Sequence, residues 1–230
     1  MRAPLVRRIG AALSDVVALG APAVCAGCRK PGVAVCVECR ESLSGPARLH
    51  RPVPTPEAWV PAHVVADYAG VTRAVMTAWK ERGRRDVAEH LAHALARALD
   101  AAVSGSGAAL GPCTVVPVPS STEARRRRGE DAWERVVRRA VADASSSGLS
   151  VVRCLQLTRQ PRDQAGLTAV DRRANLAGAL RCVEPPALPV IVVDDIITTG
   201  ATLAEAVRAL RAAGVEPARC AAIAATSRVR

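Results

Sequence analysis

The stretch Val-Ile-Val-Val-Asp-Asp-Ile-Ile-Thr-Thr-Gly-Ala-Thr, residues 190–202, combines side chains that could bind a phosphorylated sugar. Four apolar residues lead into two adjacent carboxylates, Asp194 and Asp195. Ligands of open parallel sheets bind at the carboxyl ends of strands, so we expect the acid pair at such an end. Because successive side chains of a strand point to opposite faces, one carboxylate can face a ligand while its neighbour reaches a second hydroxyl or a metal-bound water. The pair therefore predicts recognition of vicinal sugar hydroxyls.

The residues after the acid pair predict an anion-binding turn. Thr198, Thr199, Gly200, Ala201 and Thr202 open a segment with helical periodicity. The free N–H groups and the dipole at a helix start attract an anion, hydroxyls add donors, and glycine lets the backbone come close to a ligand. With the acid pair, this turn predicts a cradle for a ribose 5-phosphate. The alternative is that Thr202 only caps a helix and the carboxylates are solvated.

Four cysteines form two closely spaced pairs, Cys25-x₂-Cys28 and Cys36-x₂-Cys39. Each pair can place two thiolates on one Zn²⁺, which gives a closed tetrahedral site. Disulfides would suit a secreted protein, and a redox pair would follow a strand of a thioredoxin-like unit. Neither context is indicated, so the spacing predicts a structural zinc ribbon, which depends on its metal because it is so small.

Basic residues are the remaining candidates for phosphate chemistry. The net charge is +11, and Lys30 and Lys80 are the only lysines among 32 lysines and arginines. A lysine offers a compact and mobile charge, which suits a pyrophosphate that must be released, although chance retention on a helix face is the alternative for Lys80. The run from Arg125 to Arg128 could steer pyrophosphate or a polynucleotide, or lie in solvent. The overall charge favours polyanionic partners, or reflects a solvated basic surface.

Strands and helices alternate along most of the chain. The hydrophobic patterns predict strands over 63–70, 113–119, 149–158, 189–195 and 218–226, and helices over 71–83, 86–103, 132–144 and 201–214. This alternation predicts an α/β fold with a parallel sheet covered by helices on both faces. The polar and Gly/Pro-broken segment 159–180 is interpreted as a mobile flap that ends in a helix.

The domain organisation follows from composition. Residues 1–45 comprise an N-terminal helix and the zinc ribbon, residues 46–62 a Pro-rich linker, and residues 63–230 the α/β domain. The N-terminus has a basic start and an apolar middle, but Asp15 interrupts it, so we expect an amphipathic helix over 1–22 and not a signal peptide. No segment has the length of about 18 apolar residues that a membrane span needs. We expect a cytoplasmic protein with no membrane insertion.

These motifs together carry a resemblance to a known family. Residues 190–202 resemble the phosphoribosyl-pyrophosphate (PRPP) motif of type I phosphoribosyltransferases, and roughly residues 20–228 resemble the ComF / ComFC (GntX-like) family. Residues 77–92 resemble its Lys-x-x-Gly-Arg segment, and residues 115–131 its Pro-Val-Pro strand followed by Arg-Gly-Phe-Asn-Gln. Residues 159–180 resemble its Gln-x-x-Leu…Arg-x-x-Asn signature.

The resemblance implies a type I phosphoribosyltransferase-like fold with a small N-terminal zinc ribbon, and it implies roles for individual residues. Asp194 and Asp195 hold the ribose hydroxyls, and Lys80 joins them in the catalytic set. The implied phosphate-binding residues are Thr198, Thr199, Gly200, Ala201, Thr202 and Arg128, and the implied flap residues are Arg159, Gln164, Arg172 and Asn175. Mg²⁺ would accompany PRPP, and structural Zn²⁺ would occupy the cysteines. The chain departs from the family at Glu130-Asp131-Ala132, where the pattern has Phe-Asn-Gln.

The function implied is binding of PRPP with Mg²⁺ and transfer of its phosphoribosyl group to an acceptor that the sequence does not identify, in association with competence and DNA uptake. One alternative is a non-enzymatic accessory that binds single-stranded DNA beside a competence helicase or recombination mediator. Another is a regulator that senses PRPP or a nucleotide, an option kept open by the altered loop at Glu130-Asp131. Single-strand binding needs stacking platforms, and the aromatic residues are few: Trp59, Tyr68, Trp79 and Trp133.

Overall fold

The computed structural model describes residues 24–57, 59–105, 109–120, 132–160, 168–186 and 189–227. Several predictions fall on other residues and lie outside this part of the chain: the helix over 1–22, the arginine run with Arg128, the departure at Glu130-Asp131, and Gln164.

The described residues form eight strands and six helices, in which the predicted alternation of strands and helices recurs together with elements that the sequence pattern does not predict, among them β1, β6 and α1. The strands are β1 (Arg48–His50), β2 (Ala62–Asp67), β3 (Cys113–Pro117), β4 (Leu149–Val151), β5 (Leu155–Leu157), β6 (Leu180–Cys182), β7 (Val190–Ile197) and β8 (Pro217–Ala225). The helices are α1 (Val37–Leu43), α2 (Gly70–Lys80), α3 (Ala88–Ser104), α4 (Ala132–Asp143), α5 (Ala169–Leu176) and α6 (Ala201–Arg211), with a 3₁₀ turn at Arg85–Val87.

Six strands build one sheet in the order β1-β2-β8-β7-β3-β4, and β5 pairs with β6 in a separate hairpin. All neighbours in the large sheet are parallel except β1, which runs antiparallel to β2. The predicted α/β fold is therefore confirmed, as a mixed sheet with mostly parallel strands. The antiparallel edge strand β1 comes from the Pro-rich segment 46–62, where its three residues are too few to give a periodic pattern.

Helices cover both faces of this sheet, as buried parallel strands require. Ile191 and Val193 of β7 belong to the core beneath α2, α3 and α4, while Val190 and Val192 belong to the core beneath α6. The strand is therefore apolar at four successive positions because both of its faces are buried. Its position between β8 and β3 places its last residues at the centre of the sheet edge.

Two predicted strands differ from the structure. The segment 149–158 forms two strands, because the chain leaves the main sheet after Val151 and Leu155 then pairs with Cys182 in the hairpin. The strand predicted over 189–195 continues to Ile197, because Ile196 and Ile197 keep the ladder to Ala224 and Ala225. The acid pair thus lies inside the strand, two residues before its end, and not at the end itself.

Candidate functional site

The two carboxylates of β7 occupy different environments. Asp195 follows the alternation of Ile191 and Val193 and so faces α2, where its Oδ1 accepts a hydrogen bond from Lys80 Nζ at 2.8 Å. The side chains of Lys80 and Asp195 are 32% and 19% exposed, so the ion pair lies at the rim of the core and a ligand can reach it. The structure thus brings together the acid pair and the lysine on which the predicted chemistry depends.

Asp194 ionises less readily than an ordinary aspartate. Burial and then the neighbouring charge of Asp195 raise its pKa to about 7, although Lys80 and the N–H of Asp195 work against this shift. The same N–H donates to Asp194 Oδ1 at 2.9 Å. A carboxyl group with this pKa changes charge near neutral pH, so its hydrogen-bonding role depends on the pH of the solution.

The turn after β7 leaves the start of α6 without a side-chain cap among the described residues, although Gly200 and Ala201 are themselves buried. Gly200 precedes the helix with φ 74° and ψ 1°, and no side chain of the described residues caps that end. Ala201 N–H makes only a long contact, 3.4 Å, to Thr199 Oγ1. The first amides of a helix otherwise have no intrahelical acceptor. The turn therefore has amide donors without an intrahelical acceptor, and Gly200 supplies the left-handed conformation that precedes them, while anion binding stays a prediction.

Two side chains from elsewhere hold the turn in place. Thr226, directly after β8, donates its hydroxyl to Thr198 O at 3.2 Å and its N–H to Ile197 O at 2.9 Å. Arg172 Nη1, on α5, donates to Thr198 Oγ1 at 3.2 Å. The Nε atom of Arg172 is buried without a partner among the described residues. The predicted flap residue Arg172 thus reaches the turn that is predicted to bind phosphate.

Trp59 and Pro52 pack against the turn and were not identified by the sequence analysis as site residues. A Cβ added to Gly200 would lie 2.6 Å from Trp59 Cζ3 and 2.8 Å from Pro52 Cγ. The Pro-rich segment therefore reaches the carboxyl edge of the sheet and buttresses Gly200. Trp59 Nε1 is buried without a hydrogen-bond partner among the described residues. A lone tryptophan among prolines is the only sequence signal of this contact.

Two other predicted flap residues, Arg159 and Asn175, lie at the far end of α5. Arg159 Nη2 donates to Asn175 O at 2.8 Å and to Ala177 O at 3.0 Å, so it binds backbone carbonyls at the end of the helix. Thr168 and Asp171 form a capping box at the start of α5. Arg159 and Asn175 thus meet each other, while the turn after β7 is contacted by Arg172.

An ion pair between the buried Glu205 and the half-exposed Arg208 links the β5–β6 hairpin to α6. Glu205 is 5% exposed and accepts from Leu180 N–H at 3.0 Å and from Arg208 Nε at 2.8 Å. Arg208 Nη2 also donates to Leu180 O at 2.9 Å. Because α6 begins at the anion turn, this anchor fixes the hairpin relative to the site. The pattern Glu-x-x-Arg on a helix is too common to have revealed it.

A second cavity opens beside the acid pair, at the end of β3. It measures about 320 Å³ and is lined by Pro117 to Ser120, by Trp133 and Glu134 of α4, and by Arg153 and β5. Val118 N–H donates to Val193 O, directly before Asp194, so the cavity is one strand away from the carboxylates. Trp133 is buried, and its Nε1 has no partner among the described residues.

The four cysteines of the N-terminal segment converge as predicted. The Sγ atoms of Cys25, Cys28, Cys36 and Cys39 all lie within 4.8 Å of one another. Zn–S bonds of about 2.3 Å separate the sulfurs of a tetrahedral site by about 3.8 Å, so the cluster could hold a metal ion. Burial opposes ionisation of Cys25, but N–H groups of Cys28, Cys36 and Gly27 lower its pKa to about 6. An already acidic thiol is a suitable metal ligand because metals bind thiolates.

The cysteine cluster is packed against the helices of the main domain. A Cβ on Gly27 would lie 2.7 Å from Cys39 Sγ and 2.9 Å from Val71 Cγ1 of α2, so only glycine fits there. Arg84, four residues after Lys80, donates to Val24 O at 3.1 Å and pairs with Asp86.

None of the helices in the described part of the chain combines the length and apolarity that a membrane crossing requires.

Comparisons with known proteins bear on the segment that contains the acid pair and the turn. Residues 184–228 match the phosphoribosyl transferase domain family. Competence protein F of Haemophilus influenzae (strain ATCC 51907 / DSM 11121 / KW20 / Rd) is 33% identical over 109 residues, which cover 46% of this chain and 47% of that protein. The chain thus spans about half the length of the curated relative that it matches.

Among solved structures, the crystal structure of orotate phosphoribosyltransferase from Aeropyrum pernix aligns over 82% of this chain and 90% of that chain. Its sequence identity is 16% and its TM-score is 0.25.

Proposed function

We propose that this chain binds PRPP with Mg²⁺ and transfers the phosphoribosyl group to an acceptor. The match of residues 184–228 to the phosphoribosyl transferase domain family and the similarity of part of the chain to Competence protein F support this proposal. The observation that carries the proposal is the juxtaposition of Asp194 and Asp195 with the uncapped helix start at Gly200. Carboxylates accept hydrogen bonds from vicinal hydroxyls, and free amides at a helix start bind a phosphate. Ribose 5-phosphate offers both groups on one molecule.

Lys80 binds the pyrophosphate in this proposal. Its 2.8 Å contact with Asp195 holds it at the edge of the acid pair, and its 32% exposure leaves Nζ accessible. A flexible lysine can exchange one anionic partner for another, because it makes single-point contacts and not a bidentate fork. Pyrophosphate therefore competes with Asp195 for Lys80, and Asp195 is released toward the ribose hydroxyls.

Mg²⁺ prefers carboxylate and phosphate oxygens, and Asp194 and Asp195 are the carboxylates that fit it at this edge. When bound, it would neutralise charge on the pyrophosphate. The residues of the chain act by position: the turn from Thr198 to Thr202 fixes the phosphate, and the acid pair fixes the sugar. Carboxylates beside the ribose also stabilise positive charge that develops on the sugar as pyrophosphate departs.

We assign the acceptor to the cavity at the end of β3. Its volume of about 320 Å³ lies within the usual range of small-molecule sites. Its lining joins apolar Leu155 and Leu157 to the Trp133 N–H and to Arg153, whose Nη1 donates to Glu134 Oε2 at 2.6 Å, so a planar acceptor with carbonyl oxygens suits it. In this proposal the flap residues Arg159, Gln164, Arg172 and Asn175 cover the bound substrates. Arg128 is proposed to bind phosphate.

The enzyme proposal is tested by pyrophosphate release. Purified protein is incubated with PRPP, Mg²⁺ and a panel of nucleobases and related heterocycles, and pyrophosphate is measured by a coupled assay. We expect release that depends on one acceptor class in the wild type and at least a hundredfold slower release in Asp195→Asn. PRPP binding without release for any acceptor would favour the sensing alternative.

We extend the proposal to the cysteines and to the cellular role. Zn²⁺ suits the four thiolates. In this proposal residues 1–45 comprise an N-terminal helix and the zinc ribbon, joined through 46–62 to a phosphoribosyltransferase-like domain over 63–230. Free thiols are typical of the cytoplasm, where we place the protein. The name of the relative associates that protein with competence, and we propose the same context here. Loss of transformation in cells whose copy carries Asp195→Asn would support it.

A further inference from the structure

A cleft between α1 and α3 shares no described lining residue with the acid pair, the turn after β7 or the cavity at the end of β3. It measures about 440 Å³ and is lined by one face of each helix. Helix α1 contributes Val37, Arg40 and Glu41, and α3 contributes His90, His93 and Arg97, which recur at the spacing of one helical face. Because Cys36 and Cys39 flank the start of α1, the cysteine cluster holds one wall of the cleft.

The cleft carries two positive charges, Arg40 and Arg97, against the one carboxylate of its described lining, Glu41. Arg40 and Arg97 face it from opposite walls, and neither guanidinium has a salt-bridge or hydrogen-bond partner among the described residues. By contrast, Arg139, Arg208 and Arg211 are all paired with carboxylates. Two unpaired guanidinium groups on opposite walls are positioned to share one anion.

The histidines add donors, and their acidic neighbours are few. The pKa of His90 is lowered, first by burial; Arg40 and His93 add to this shift, and Glu89 and Asp86 oppose it. Glu89 Oε1 lies 3.7 Å from His90 Nε2. A neutral imidazole keeps one N–H donor, so both histidines can bond an anion oxygen without being charged.

The lining also indicates the size of the ligand. Val37 is 54% exposed, and Leu43 forms an apolar floor beside it, so part of the ligand can be uncharged. The volume is that of a small-molecule site. No tryptophan, tyrosine or phenylalanine lines it, which disfavours a strand of stacked bases. Arginine forks match phosphate oxygens in a bidentate manner.

We propose that this cleft binds a phosphate monoester of about the size of a mononucleotide, with Arg40 and Arg97 as a clamp and His90 and His93 as further donors. The site is separate from the acid pair on β7, so it does not depend on the proposed phosphoribosyl transfer. It gives the cysteine-held helix α1 a second role, as one wall of an anion site.

The test uses full-length protein with its bound metal and histidine NMR. The chain has only 4 histidines, so the Cε1–H signals can be assigned one by one. Adenosine 5′-monophosphate and inorganic phosphate are titrated in parallel. We expect His90 and His93 to shift in a saturable manner, and His50 and His63 to stay in place.

Variants decide between a built site and general charge. Arg97→Ala is expected to weaken the titration at least about tenfold, the loss of one charge-assisted hydrogen bond. Arg97→Lys keeps the positive charge but not the two-pronged guanidinium group, so its affinity should lie between those of the wild type and Arg97→Ala. The matched control is Arg73→Ala on the exposed side of α2, which removes the same charge and should change the affinity less than about twofold. Arg40→Ala is interpreted only if its metal content and circular dichroism match the wild type.

Three results would overturn the proposal. The first is that the signals of His90 and His93 do not shift at up to about 10 mM of either probe, because binding weaker than this would have no use as a small-molecule site. The second is equal weakening in Arg97→Ala and Arg73→Ala, which would mean unspecific attraction. The third is a shift with a single-stranded oligonucleotide but with neither small probe, which would assign the cleft to a nucleic acid.

Discussion

Replacement of Gly200 by alanine tests whether the anion turn has the packing described above. Two costs add at this position. At φ 74° an L-residue is strained by about 1–2 kcal/mol. The new methyl group would also lie 2.6 Å from the ring of Trp59 and 2.8 Å from Pro52, and such overpacking costs about 1–3 kcal/mol. We therefore expect Gly200→Ala to lower the free energy of unfolding by about 2–5 kcal/mol.

Gly214 provides a matched control for this prediction. It has φ 80°, and nothing lies within 4 Å of an added Cβ, so Gly214→Ala carries the backbone strain alone. That variant should lose about 1–2 kcal/mol and keep its affinity for PRPP. For a chain of this size the loss corresponds to about 2–8 °C in Tm. Urea denaturation gives both free energies, and calorimetric titration gives both affinities.

The contribution of Trp59 can be separated in a double-mutant cycle. In a Trp59→Ala background the cost of Gly200→Ala should fall, although Pro52 still restricts the space. If Gly200→Ala and Gly214→Ala destabilise equally, the Pro-rich segment does not pack on the turn and this reasoning is refuted.

Three further predictions concern the acid pair, Lys80 and the cysteines. The raised pKa of Asp194, about 7, means that the folded state keeps its proton to higher pH than the unfolded chain, whose pKa is about 4, so stability falls as pH rises from about 4 to 7. Asp194→Asn should therefore gain stability over the wild type at pH 8 and much less at pH 5 in urea denaturation, and an equal gain at both values would contradict the shift. Lys80→Ala should weaken PRPP binding about tenfold or more but leave ribose 5-phosphate binding nearly unchanged, because only PRPP carries pyrophosphate. If the affinity for both ligands falls equally, Lys80 does not bind the pyrophosphate. Cys28→Ser should lose the zinc found by elemental analysis and destabilise the protein, whereas Cys182→Ser, outside the cluster, should retain one zinc per chain.

Much of the fold could be predicted because its signals are local. The apolar run of β7 and the helical periodicity of α3 and α6 each lie within one short window of sequence. The cysteine cluster was predictable because ligand spacing is itself a distance constraint. The donors at Gly200 were predictable because a glycine and three threonines mark a helix start.

The remaining features depend on contacts between distant segments. Trp59 contacts Gly200 although about 140 residues separate them in the chain, and hydrophobic periodicity within a short window cannot predict such a contact. Strand β1 has three residues, which is too short for a pattern. The end of β7 was placed two residues early because the acid pair resembles a strand end, whereas pairing with Ala224 and Ala225 extends the ladder past it.

The most direct measurement is calorimetric titration of PRPP with Mg²⁺ into the wild type and into Asp195→Asn. The wild type is predicted to bind one PRPP per chain, and the variant, which is nearly isosteric, to bind at least tenfold more weakly while its circular dichroism is unchanged. An absence of heat with the wild type, or the same affinity in both proteins, would contradict the role given to the acid pair and the turn.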